Sequence, residues 1–152
     1  MYTSQDPRTI ESGRSGLSPA GSPGEKSISP SLEVGRRYTR VAIHDLLGGS
    51  IQEFLPHVAG SVVCGCFDPQ KNPSAPNIVL PGNTTGRMRW AGVFAAQTHF
   101  VPCFLKRDTN DWEYVGDYRV ARQSFDESEL LLQRRLTDRP EISQVLYLEP
   151  AS

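Results

Sequence analysis

The chain has little that marks a membrane protein. No apolar run approaches the ~20 residues that span a bilayer, and the N-terminus lacks the apolar core of a signal peptide. These absences predict a soluble, intracellular protein, cytoplasmic or nuclear, with no membrane partner. Neither sign of charge dominates: 16 Lys and Arg stand against 17 Asp and Glu, which excludes the broad basic footprint of a strong non-specific nucleic-acid binder. Cysteine is scarce. Cys64, Cys66 and Cys103 form an odd set without framework spacing, and His44, His57 and His99 are not at zinc-finger spacing. The three cysteines read as buried free thiols of a reducing compartment, with no metal or cofactor implied. The phosphate-binding patterns GxxxxGK[ST] and GxGxxG are missing, as are HExxH and GxSxG.

What is present divides the chain in two. Residues 1–31 are dense in Ser, Pro and Gly and nearly free of large apolar side chains. Such a segment buries too little surface to offset its ordering entropy, which predicts a disordered tail. Ser18-Pro19, Ser22-Pro23 and Ser29-Pro30 suit an extended linker or a tail open to modification. The folded body is then a single domain over 32–152.

Within the body, Thr39 is a candidate N-cap for a two-turn helix that Gly48 ends. Val62–Phe67 reads as a central strand, followed by a proline-locked loop, Asp68–Pro76, and a short strand, Ile78–Leu80. Arg87–Gln97 is helical, with Met88, Ala91, Phe94 and Ala95 on one side. Residues 100–122 form a β-hairpin about the polar turn Arg107–Asp111. Its second strand alternates Trp112, Tyr114 and Tyr118 on one aromatic face. That face is either core or a stacking platform for a base, and the sequence leaves both open. A helix near Asp126–Leu136 and a strand over Ile142–Leu148 close the chain. Dominant strands and short helices predict an α+β fold with a curved or barrel-like sheet.

The series Tyr38-Thr39-Arg40, Ile43-His44, Leu47-Gly48-Gly49-Ser50, Gln52, Leu55-Pro56, Asn72-Pro73 and Ala75-Pro76 resembles the SRA-like modules of the PUA superfamily. Those modules occur beside HNH nuclease domains in modification-dependent restriction proteins. Pro102, Phe104-Leu105-Lys106 and Trp112–Val120 also resemble an uncharacterised domain of fungal proteins. The resemblance implies a compact β-barrel that reads nucleic acid, DNA ahead of RNA, by holding a modified or extruded base. No HNH segment is present, so cutting is absent or supplied by a partner.

Holding an extruded base takes a flat apolar surface, hydrogen bonds to the base edge and cations for flanking phosphates. Trp112, Tyr114, Tyr118 and Phe54 are the stacking candidates, with core packing as the competing role. Gln52 and Asn72 carry the paired donor and acceptor that read a base edge; for Asn72, capping a turn competes equally. Arg40, Lys106 and Arg119 are the phosphate candidates, with Arg37 and Arg107 behind them. A catalytic reading draws on His44, Asp45, Glu53 and a Cys64 or Cys66 nucleophile, but both thiols sit in an apolar strand where they are inert. The sequence therefore points to a non-catalytic nucleic-acid-binding module. A protein-interaction module is the alternative, and a hydrolase or nuclease the third reading.

Overall fold

The structure, a computed structural model, describes residues 32–152; the tail expected over 1–31 lies outside the described residues. In chain order the elements are β1 (Arg37–Tyr38), α1 (Arg40–Leu47), β2 (His57–Val58), β3 (Ser61–Val62), β4 (Gly65–Phe67), β5 (Ile78–Val79), α2 (Thr85–Ala96), β6 (Val101–Asp108), β7 (Asp111–Ser124), α3 (Glu127–Thr137) and β8 (Val145–Pro150). The class is α+β. The main sheet runs β4-β6-β7-β8-β5, with β1 added against the start of β7. All its pairs are antiparallel except β4 with β6. Its end strands β4 and β5 do not pair with each other, so the sheet is open and the expected barrel closure is not formed.

The β6–β7 hairpin organises the core. Its tight turn uses Asn110 in the left-handed region at φ 50°, a conformation that asparagine tolerates. Val101 to Leu105 are all buried because β6 is covered on both faces. Val101, Cys103 and Leu105 join Phe67, Ala91, Phe94 and Leu146 on one face, beneath α2. Phe104 points the other way, into Ile43, Cys64, Cys66, Trp112 and Tyr114 beneath α1. Each fully buried large side chain contributes roughly 1.5–3 kcal/mol, so these two layers supply most of the stability. A third cluster, Leu80, Leu130, Ile142 and Val145, seats α3.

β7 does not keep one aromatic face. Phe104 pairs with Tyr114 but Cys103 pairs with Gly116, which leaves Val115 as an extra residue in a bulge. Gly116 sits at φ +119°, open to glycine and strained for other residues. One inserted residue shifts the period-2 alternation, so side chains beyond it exchange faces. Trp112 and Tyr114 lie in the α1 layer, whereas Tyr118 packs with the α2 layer.

Local capping follows the expected chemistry. Thr39 Oγ1 accepts from the Ala42 N–H, and the Gly48 N–H closes α1 onto the His44 carbonyl. Thr84 and Asp126 cap α2 and α3 in the same way. Other expectations change. The run Val62–Phe67 breaks at Val63-Cys64 into β3 and β4, and β4 is an edge strand paired only to β6. The last strand starts at Val145, because Ile142 is taken by the α3 cluster. Met88 is exposed, not part of the buried side of α2.

Two glycines give opposite expectations. Gly92 lies inside α2, and a Cβ there meets nothing within 4 Å, so Gly92→Ala should stabilise by about 0.5–1 kcal/mol. At Gly49, with φ +84°, a Cβ would stand 2.6 Å from the Pro56 Cβ, so Gly49→Ala should destabilise by more than that gain. Denaturant unfolding of the two variants reads both signs. A pH effect is expected at α3. The Tyr147 hydroxyl, then Arg122, holds the Glu129 carboxyl below its ordinary range, and the Ser128 hydroxyl does the same for Asp126. Depressed folded-state values mean that this stabilisation is present above the unfolded values and disappears as pH falls through the folded ones. Unfolding midpoints should therefore drop on acidification below the ordinary carboxylate range, and less steeply in Glu129→Gln.

Candidate functional site

A cavity of about 680 Å³ opens beside the β4 edge of the sheet, within the range of small-ligand pockets. Three segments build it. The chain from Gln52 to Phe54 runs alongside β4, tied by the Cys66 N–H donating to the Phe54 carbonyl at 2.8 Å. The proline-locked loop supplies Asp68, Lys71 and Asn72, and the first turns of α2 supply Gly86, Arg87 and Trp90. Lys106 and Trp112, directly opposite each other across β6 and β7, complete the wall.

Five of the nine residues expected from sequence line this cavity: Gln52, Phe54, Asn72, Lys106 and Trp112. Their states differ. The Gln52 side chain has no partner among the described residues, although its backbone N–H is held by Ser50 Oγ at 3.0 Å. Asn72 is a loop clamp: its Oδ1 accepts from the Leu80 N–H at 2.8 Å and its Nδ2 donates to the Asp68 carbonyl at 3.2 Å. That leaves one N–H and one lone pair for anything in the cavity. Trp112 is only 8% exposed and serves as core and cavity wall together.

The other four lie elsewhere. Tyr114 packs against Phe104 and donates its hydroxyl to Asp117 Oδ1 at 2.6 Å; burial first, then Asp117, pushes its pKa up. Tyr118 is on the opposite face because of the bulge. Arg119 is consumed by Glu149 at 2.7 Å and the Thr98 carbonyl at 2.8 Å, over the Phe100 ring. Arg40 is buried; its Nη2 donates to the Ser50 and Glu53 carbonyls at 3.0 and 2.8 Å, and its guanidinium lies over Trp112. Arg40 therefore positions the Ser50–Glu53 wall from behind. Its Nε has no partner, and no carboxylate pairs with it among the described residues.

Three residues outside the expected set complete the cavity lining that matters. Trp90 is half-buried and stacks on His57, with ring centroids 3.4 Å apart and planes 12° apart. Its signal in the sequence is its place one turn after Arg87 on α2. Lys71 and Arg87 also line the cavity. Arg37, Arg107, Arg119, Arg122, Arg134 and Arg139 each hold a carboxylate, whereas Lys71, Arg87 and Lys106 hold none among the described residues.

Two side chains of the catalytic reading have internal partners, and Cys66 lines the cavity. His44 Nδ1 contacts the Gly49 carbonyl at 2.6 Å, and Glu53 faces His57 at 3.5 Å. The Cys64 thiol is pushed up by its contact with Cys66 and by burial, and the Cys103 thiol by burial, so neither supplies thiolate at neutral pH.

A family model described as a domain of unknown function (DUF6697) matches residues 37–145, well over half of the chain. No curated protein and no solved structure matches it.

The tryptophans should separate by stability. Trp112→Ala empties the α1 layer and should cost about 3–5 kcal/mol in denaturant unfolding. Half-buried Trp90 should cost clearly less on the same substitution. Equal losses would place Trp90 in the core.

Proposed function

The chain belongs to the DUF6697 family, and we propose that this member is a non-catalytic nucleic-acid-binding module whose cavity receives a modified or extruded base. One observation carries the reading. Gln52, Asn72 and Trp112, chosen from sequence for base-edge contacts and stacking, converge on one cavity with Phe54 and Lys106. The convergence supplies the three things such a ligand needs: flat apolar surface, amide groups for its edge and cations beside it. Tyr114 does not join them; Trp90, half-buried between His57 and the Arg89 guanidinium, is the further aromatic side chain of the lining. The resemblance to SRA-like, PUA-superfamily modules supports the same reading, with an open sheet where those modules close a barrel. DNA is the first polymer to test.

A protein-interaction role is the second reading. It is favoured by the outer side of α3, where Leu131, Leu132 and Leu136 are exposed, with Phe125 exposed just before the helix.

Fluorescence anisotropy of labelled oligonucleotides tests the proposal. The panel holds unmodified and cytosine-modified duplex DNA, single-stranded DNA and RNA, each at two salt concentrations because phosphate contacts are salt-dependent. Binding to one member that persists at the higher salt is the expected result. Trp90→Ala should weaken it by roughly 5- to 100-fold, the range for losing one stacked base. Flat curves across the panel would overturn the nucleic-acid reading and leave the α3 surface as the feature to pursue.

A further inference from the structure

The cations of the cavity are distributed unevenly, and their surroundings assign one part of it. Gly82 is the reference point. A Cβ built on it would meet Arg87 Cδ at 3.4 Å and Glu141 Cγ at 3.7 Å, so Arg87 and Glu141 approach each other over a residue with no side chain. Glu141 accepts from Arg139 Nε at 2.8 Å, and that contact holds its carboxyl below the ordinary range. Arg139 in turn donates from Nη1 to the Lys71 carbonyl at 2.9 Å, which brings the Lys71 segment to the same place. Glu141 is therefore already neutralised. Lys71 adds a weaker pull on the Glu141 carboxyl and Asp68 lines the same cavity, but neither Lys71 nor Arg87 is in an ion pair among the described residues, and the first turn of α2 contains no acid. The buried Arg40 behind the neighbouring wall adds positive charge that pairs with no carboxylate among the described residues.

We infer that the Lys71–Arg87 end of the cavity, over Gly82, is a phosphate subsite, with the aromatic side chains Phe54, Trp90 and Trp112 taking the base of the same ligand. The phosphate group belongs either to a free nucleotide or to a strand. This inference deepens the proposed function, since it rests on the cavity being the binding site. It differs in its residues: two of the phosphate ligands expected from sequence, Arg40 and Arg119, are spent on internal contacts, and Lys71 and Arg87 replace them. A guanidinium and an ammonium facing a phosphate oxyanion form charge-assisted hydrogen bonds, the strongest class a surface cavity offers.

The protein contains two tryptophans, Trp90 and Trp112, and both line the cavity, so intrinsic fluorescence reports its occupancy directly. The full chain is titrated with each nucleoside, its 5′-monophosphate, inorganic phosphate and a short single-stranded DNA. The 5′-monophosphate should bind at least about tenfold tighter than its nucleoside, the effect of one charged hydrogen bond. In the Lys71→Met, Arg87→Met double variant this gap should shrink to less than about twofold, with nucleoside affinity unchanged. Both side chains are exposed, so an unchanged thermal midpoint should accompany the loss. Arg135→Met, an exposed cation outside the cavity lining, should leave the gap intact. No gap in the wild type, or a gap that survives the double variant, overturns the subsite. DNA binding without the gap overturns the subsite alone, leaving the nucleic-acid reading in place. The gap without DNA binding supports the subsite, makes a free nucleotide its ligand and overturns the strand reading.

Discussion

The side-chain layout depends on one extra residue in β7. Without the Val115 bulge, strand alternation would place Tyr118 beside Trp112 and Tyr114, and the α2 layer would lose it. With the bulge, one continuous strand of 14 residues serves two cores. Its first half packs against α1 and supplies Trp112 to the cavity wall, opposite Lys106 of β6. Its second half pairs with β8 and packs toward α2. Gly116 makes this possible, because the backbone there takes a φ that a side chain would resist.

The cavity is held open by polar clamps. Asn72 ties the start of the proline loop to Leu80 just past β5, Arg139 joins that loop to the segment after α3, and Arg40 fastens the Ser50–Glu53 wall. Arg40 also connects this wall to the hairpin, since its backbone N–H donates to Asn110 Oδ1 at 2.9 Å in the β6–β7 turn. Burying a guanidinium without a carboxylate is costly. Two carbonyls and the face of Trp112 offset part of that cost. The same arrangement explains why Arg40 does not line the cavity: its Nη2 is turned to the Ser50 and Glu53 carbonyls behind the wall.

Much of the local structure was legible before the fold was known, for reasons confined to a few neighbouring residues. Thr39 and Gly48 bound α1 because a hydroxyl and a residue tolerant of positive φ satisfy helix ends wherever the helix packs. The polar turn between two apolar runs produced a hairpin. Asn72 acted as a turn clamp, one of the two roles its position allowed. The cavity was only half legible. Gln52, Phe54, Asn72, Lys106 and Trp112 come from four separate segments, and nothing in their spacing says that they meet. Trp90 and Lys71 are unremarkable alone, and Arg87 is one of several basic residues in the sequence. They matter through what surrounds them: a stacked His57, a neutralised Glu141, a bare Gly82.

The sequence by itself therefore determined the α+β class, the caps, the hairpin and the type of chemistry available. All of these arise from side-chain interactions a few residues apart or from strand periodicity. Tertiary structure decided the rest: that the sheet stays open, that Tyr118 leaves the aromatic face, that Arg40 and Arg119 are spent internally, and which cations remain unpaired. A pairing register, a bulge and a choice among several carboxylates depend on contacts between distant parts of the chain. Their energies are settled only when every competing partner is in place.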